Sequence, residues 1–154
     1  MGRSSRLYNR RHSKWGVTVN IDSWQKIREL TEKYGPPKSD GRKGNGLTFE
    51  KSNTSVWVGL RPSGSISYIE YSESSSEHSI LMLSRPHLDG PAVESFHDNG
   101  KVHCRYHYKS SLLHRPTDLG PAYVNYGYDG ALMGCSYYHM GISQQKVDAI
   151  SLRS

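Results

Sequence analysis

A chain of 154 residues with a formal charge of +6 carries Leu, Ile, Val and Phe at only 29 positions, just under the ~20% at which an ordered core becomes hard to build. Eleven Tyr and three Trp make up part of the shortfall, because each buries a large ring and keeps a polar tip. No apolar run approaches the ~18 residues of a membrane-crossing helix, and two cysteines are too few for a disulfide framework, which fits an intracellular, reducing setting.

The charge is concentrated at the start of the chain. Residues 1–43 hold 11 Lys and Arg against 4 acids, a net of +7, while residues 44–154 hold 9 against 10, a net of −1. Residues 1–15 read as a flexible basic arm. Arg3, Arg6, Arg10, Arg11 and Lys14 suit phosphate whatever the base sequence, and Tyr8 and Trp15 suit stacking. A merely solubilising terminus is the plainer alternative. Residues 16–46 read as a short strand (16–21), one amphipathic helix and a linker. The helix is expected from about Trp24 to Tyr34, capped by Asp22 or Ser23 and stopped by Gly35-Pro36-Pro37. Trp24, Ile27, Leu30 and Tyr34 form its apolar stripe. In the Gly- and Pro-rich stretch 35–46, Arg42 and Lys43 are further phosphate candidates, although a plain connection explains it too. Hairpins follow at 47–51 with 55–60, and at 65–71 with 78–83.

The clearest signal is internal. Arg85-Pro86-x-x-x-Gly90-Pro91-Ala92-x7-Gly100 returns 30 residues later as Arg115-Pro116-x-x-x-Gly120-Pro121-Ala122-x7-Gly130. Repeats of such a period mean stacked supersecondary units. Asn99-Gly100 and Asp129-Gly130 are tight-turn dipeptides, so each copy reads as a hairpin, Ala92–His97 with Lys101–Tyr108 and Ala122–Tyr128 with Ala131–His139. Arg61-Pro62 with Gly64 resembles a degraded earlier copy. The expected fold is mainly β, an antiparallel meander of stacked β-hairpin repeats over residues 47–141, with one N-terminal amphipathic helix and a tail at 142–154.

Tyr108, Leu113-His114-Arg115, Asp118 and Gly120-Pro121-Ala122, followed by an aromatic-rich strand and Asp129-Gly130, resemble MORN-like repeats of the type common in bacteriophage and giant-virus proteins. The resemblance covers about residues 80–141 and departs at Pro116 and Leu119. It implies an extended antiparallel meander with an interaction role, in a host cytoplasm or on a virion, and it supplies no catalytic residues.

Seven of the eight histidines lie between residues 78 and 139. Strand parity over 101–109 puts Val102, Cys104, Tyr106 and Tyr108 on one face. It puts Lys101, His103, Arg105, His107 and Lys109 on the other, as a cationic stripe. His103 and His107 then stand too far apart to share a metal, and Cys104 and Cys135 fall on opposite faces. Neither a metal site, nor a cofactor, nor a catalytic motif is expected, and the chain reads as a non-enzyme. Two binding readings remain. In one, the arm grips nucleic acid or a nucleoprotein, helped by Arg42, Lys43, Lys101, Arg105 and Lys109. In the other, a Tyr-rich face with Tyr106, Tyr108, Tyr126 and Tyr138 binds a host or viral protein, as a phage or viral inhibitor, an antitoxin-like factor or a virion component would; an enzyme with an unrecognised site is the further alternative. The expected state is a monomer or an edge-paired homo-oligomer.

Overall fold

The computed structural model describes residues 10–12, 18–39, 45–74 and 81–144; the side chains of 10–12 and 18 are outside that description. The chain is mainly β and antiparallel, with one α-helix among the described residues. It divides into two compact units, one ending at Ile69 and the other starting at Glu70.

In the first unit β1 (Arg10–His12) pairs with β2 (Thr18–Asn20), and β2 leads directly into α1 (Ile21–Tyr34). The helix begins three residues before the expected Trp24. The cap is Asn20, neither Asp22 nor Ser23, because the Asn20 side chain accepts a hydrogen bond from Ser23 N at 2.9 Å, satisfying a first-turn donor. Ser23 is buried instead, and its hydroxyl accepts from Ile66 N at 3.0 Å. Gly35, at φ +91°, ends the helix as expected. Ile27 and Leu30 are buried, whereas Trp24 and Tyr34 are half-buried.

β3 (Lys38–Ser39), β4 (Gly46–Lys51) and β5 (Thr54–Leu60) follow, then β6 (Ile66–Ser74), which runs through the division. Their order is β3-β4-β5-β6. β4 and β5 pair from Gly46↔Gly59 to Lys51↔Thr54 around a two-residue turn with Ser52 at φ +55°. Leu47, Phe49, Val56 and Val58 are fully buried. Trp57, on the other face of β5, is 5% exposed and donates its indole N–H to Tyr68 Oη at 2.7 Å. Gly46 makes room for that ring: a Cβ there would stand 2.6 Å from it. The Arg61 side chain bonds back across its own turn, its Nη1 donating to the carbonyl of Ile66, five residues on, at 2.9 Å.

The second unit continues from β6 through β7 (Leu81–Leu83), β8 (Val93–Phe96), β9 (Val102–Tyr106), β12 (Tyr123–Tyr126) and β13 (Leu132–Ser136), ordered β13-β12-β9-β8-β6 with β7 also on β6. The two repeat hairpins form as expected but are shorter. β9 stops at Tyr106, and the chain turns into a separate small hairpin, β10 (Tyr108–Lys109) with β11 (Leu112–Leu113). The second copy does the same with β14 (Tyr138–His139) and β15 (Ile142–Ser143). The turns of these small hairpins hold Ser110, Ser111, Met140 and Gly141 at positive φ, the backbone that two-residue reversals require.

The Arg-Pro-x-x-x-Gly-Pro-Ala motif has a mechanical explanation. Arg85 Nη1 donates to Pro91 O at 3.1 Å, and Arg115 Nη1 donates to Pro121 O at 3.2 Å. Gly90 and Gly120, at φ +129° and +121°, let the arginine pass: a Cβ there would lie 2.7 and 2.8 Å from Nη1. Each loop is thus latched by its own first residue. Ala92 and Ala122 are buried behind it, at positions where the backbone bonds Ala92 N to Tyr106 O and His107 N to Ala122 O.

Candidate functional site

Cross-strand register sorts the second unit into two faces. Glu94, Arg105, Val124 and Cys135 align on one face, while the rows on either side, Val93-Tyr106-Tyr123-Ser136 and Ser95-Cys104-Asn125-Gly134, belong to the other. The first face holds a groove of about 540 Å³, lined by Glu94, Arg105, His107, Arg115, Val124, Tyr126, Leu132, Cys135 and Tyr137, with the glycine and prolines of the two latched loops. Arg105 Nε donates to Glu94 Oε2 at 2.6 Å and its guanidinium lies 5.8 Å from the Tyr126 ring centre. The walls are therefore aromatic and aliphatic, with an ion pair set into them. Such a lining suits a mixed apolar and polar contact.

The opposite face carries the tyrosine cluster. Tyr106 stacks with Tyr108 at 6.1 Å and meets Tyr123 at 5.0 Å. Burial, helped by Cys104, pushes the Tyr106 phenol up to about 12, so it stays a neutral donor and acceptor. Of the four tyrosines expected to share a face, Tyr106 and Tyr108 stack together, Tyr138 acts electrostatically on Tyr123, and Tyr126 lies on the groove face with Arg105. All four are half-buried.

The expected cationic stripe over 101–109 is broken. The alternation holds for Cys104, Arg105 and Tyr106, but β9 ends there and His107 turns inward to 4% exposure. Lys101 Nζ donates to Asp129 O at 3.0 Å, joining one hairpin turn to the next beside Asn99 Nδ2 and Tyr128 O. Arg105 is held by Glu94, and Lys109 is exposed. Arg3, Arg6, Lys14, Arg42 and Lys43 lie outside the described residues. Arg10 and Arg11 are in β1, their side chains undescribed.

A histidine layer went unread in the sequence. His87 lies 6.3 Å from His107 and 5.3 Å from His114, and His114 lies 4.8 Å from His139, ring centre to ring centre. Burial lowers the proton affinity of His87, His107 and His114, with neighbouring cations adding to it, and His107 falls to about 4. These rings are neutral near pH 7. His114 Nδ1 accepts from Met140 N at 3.1 Å, whereas Nδ1 of His87 and of His107 and Nε of Arg115 are buried without a hydrogen-bond partner. No sequence signal points to the layer: none of these histidines recurs at the 30-residue offset, and strand parity sets His107 among exposed cations. Among the described residues no group of three His, Cys, Asp or Glu is arranged to hold a metal ion, and no helix is long and apolar enough to cross a membrane. Cys104 is buried and Cys135 exposed, on opposite faces as expected. No family model, curated protein or solved structure matches the chain.

Proposed function

We propose that the chain is a non-enzymatic binding module whose second unit is a platform for a protein partner, centred on the groove beside Arg105, Tyr126 and Tyr137. The observation that carries this reading is the uneven use of apolar side chains. Of sixteen buried apolar residues among those described, eleven (Val19 to Ile69) lie in the first unit and five (Tyr71, Ala92, Cys104, Ala122, Val124) in the second. Of eleven exposed large apolar residues among those described, one, Ile21, lies in the first unit and ten lie in the second. Apolar surface kept in water at that density marks an association site. The MORN-like resemblance adds support, since it implies an interaction role. Capture of a defined protein by the immobilised full chain is expected to survive nuclease and high salt, and to fall more than about tenfold in affinity in a Tyr126→Ala/Tyr137→Ala variant. Capture that vanishes with nuclease, or that ignores this variant, would sink the reading.

The net +7 of residues 1–43 favours a second activity, sequence-independent nucleic-acid contact by the arm and by Arg42 and Lys43. The cations of the repeat copies lend it less, because Arg85, Arg105, Arg115 and Lys101 already have protein partners. Replacing Arg3, Arg6, Arg10, Arg11 and Lys14 with Gln is expected to abolish salt-dependent binding to short duplexes. Undiminished binding would refute it.

A further inference from the structure

The two ends of the strand order are built differently. At one end β3 is two residues long, contains Lys38 and follows Pro36-Pro37. Brevity, lysine and proline are the devices by which an edge refuses another strand. At the other end β13 is five residues long, Leu-Met-Gly-Cys-Ser, with no charge and no proline. Among the described residues no strand lies beyond it. Leu132 is 62% exposed and Met133 72%.

The chain itself shows what a neighbour does for such a strand. β9 is the counterpart of β13 in the preceding copy, with β8 on one side and β12 on the other. There Cys104 is 5% exposed. Its counterpart Gly134, aligned through Asn125, is exposed, and so is Leu132, whose counterpart Val102 is half-buried.

We propose that β13 pairs with β13 of a second copy of this chain, antiparallel about a two-fold axis. The proposal rests on the reading of the second unit as an association surface and names one occupant for its edge. Two features select a second copy. A two-fold pairing sets a strand against itself, where like charges oppose; β13 is uncharged, so self-pairing carries no repulsion. Head-to-tail addition would bring the β3 edge of the next copy onto β13, and Lys38 with the preceding prolines stands against it. What remains is an isologous contact, which closes as a dimer and does not propagate into a filament. Antiparallel addition is also how β12 meets both β9 and β13.

The test is sedimentation of the purified full chain, with circular dichroism to confirm that each variant folds. The wild type is expected to dimerise. Met133→Lys and Met133→Glu, at an exposed position the monomer tolerates, are each expected to weaken the dimer more than about tenfold. Mixing the two is expected to restore it, because only a contact between copies brings Lys and Glu together. Leu88→Lys, on the loop before β8 and at 88% the most exposed large apolar residue among those described, is the control and leaves the dimer unchanged. A monomeric wild type overturns the proposal. If that monomer dimerises once the chain is cut after Gln144, residues 145–154 are the occupant of the edge. A dimer indifferent to Met133→Lys, or a mixture that stays monomeric, overturns the proposal as well. Dimerisation with no captured partner would leave this inference standing and remove the partner platform; capture by a strict monomer would do the reverse.

Discussion

His107 stands where the neighbouring copies carry tyrosine. Its carbonyl accepts from His114 N, as that of Tyr71 accepts from Ser84 N and that of Tyr137 from Gln144 N. A tyrosine there would be neutral at every ordinary pH, whereas His107 is a base held in its neutral form by burial, with Arg115, His87, Arg105 and Arg85 facing it. The folded state therefore binds its proton only near pH 4, while the unfolded chain binds it near 6.5. Stability is complete above about 6.5 and is lost as pH falls toward 4, because the unfolded state takes up the proton first. Between about pH 7 and pH 5 the loss from this residue is on the order of 2 kcal/mol. Denaturant midpoints of the wild type and of His107→Phe, measured at both pH values, check this: the variant is expected to lose less. Equal losses would show that His107 does not drive the acid response.

At the scale of the element, the latched loop is the unit that repeats, and glycine is its requirement. Gly100 and Gly120 both have positive φ, but a Cβ at Gly100 meets nothing within 4 Å, whereas one at Gly120 lies 2.8 Å from Arg115 Nη1. Gly100→Ala is expected to cost about 1 kcal/mol for the left-handed backbone alone. Gly120→Ala adds the displacement of the latch, for roughly 2–3 kcal/mol in all. Chemical denaturation of the two variants measures the difference, and equal costs would mean that Arg115 yields freely. The 30-residue spacing and the turn dipeptides made these hairpins legible in the sequence, because Gly and Pro act locally. The small hairpins were not legible: Ser110-Ser111 carries no turn signature, and the alternation of a strand reads on toward it without a break. The early start of α1 was missed for a similar reason, since the apolar stripe says where a helix packs and nothing about which side chain caps it. The groove was visible in advance only as Arg105 and Tyr126, placed in different expected sites; their meeting depends on the register that joins β9 to β12.

For the whole molecule, the thin composition is not shared equally. The first unit holds Phe49, Trp57 and a set of fully buried aliphatics, while the second closes over Tyr71, Val124, two alanines and one cysteine, with half-buried rings around them. Burial of apolar area sets local stability, so the units are expected to open at different free energies. Hydrogen exchange on the full chain carrying Met133→Lys checks this without interference from association: β4 and β5 should hold the slowest amides, and β13, β14 and β15 should exchange far faster. Protection of β12–β13 equal to that of β4–β5 would contradict it. The shortage of aliphatic residues was plain from composition. Its confinement to one part of the chain was not, because a count has no position.

The bonds between successive turns, Asn99 to Tyr128 and Lys101 to Asp129, have a consequence for how such a chain changes length. They link one copy to the next through backbone carbonyls, so the receiving turn contributes no particular side chain. A duplicated stretch of 30 residues would bring its own turn, latch and small hairpin, adding two strands and about 10 Å of width. Nothing already present would need to be rebuilt. The number of copies is thus adjustable separately from the chemistry of any one of them.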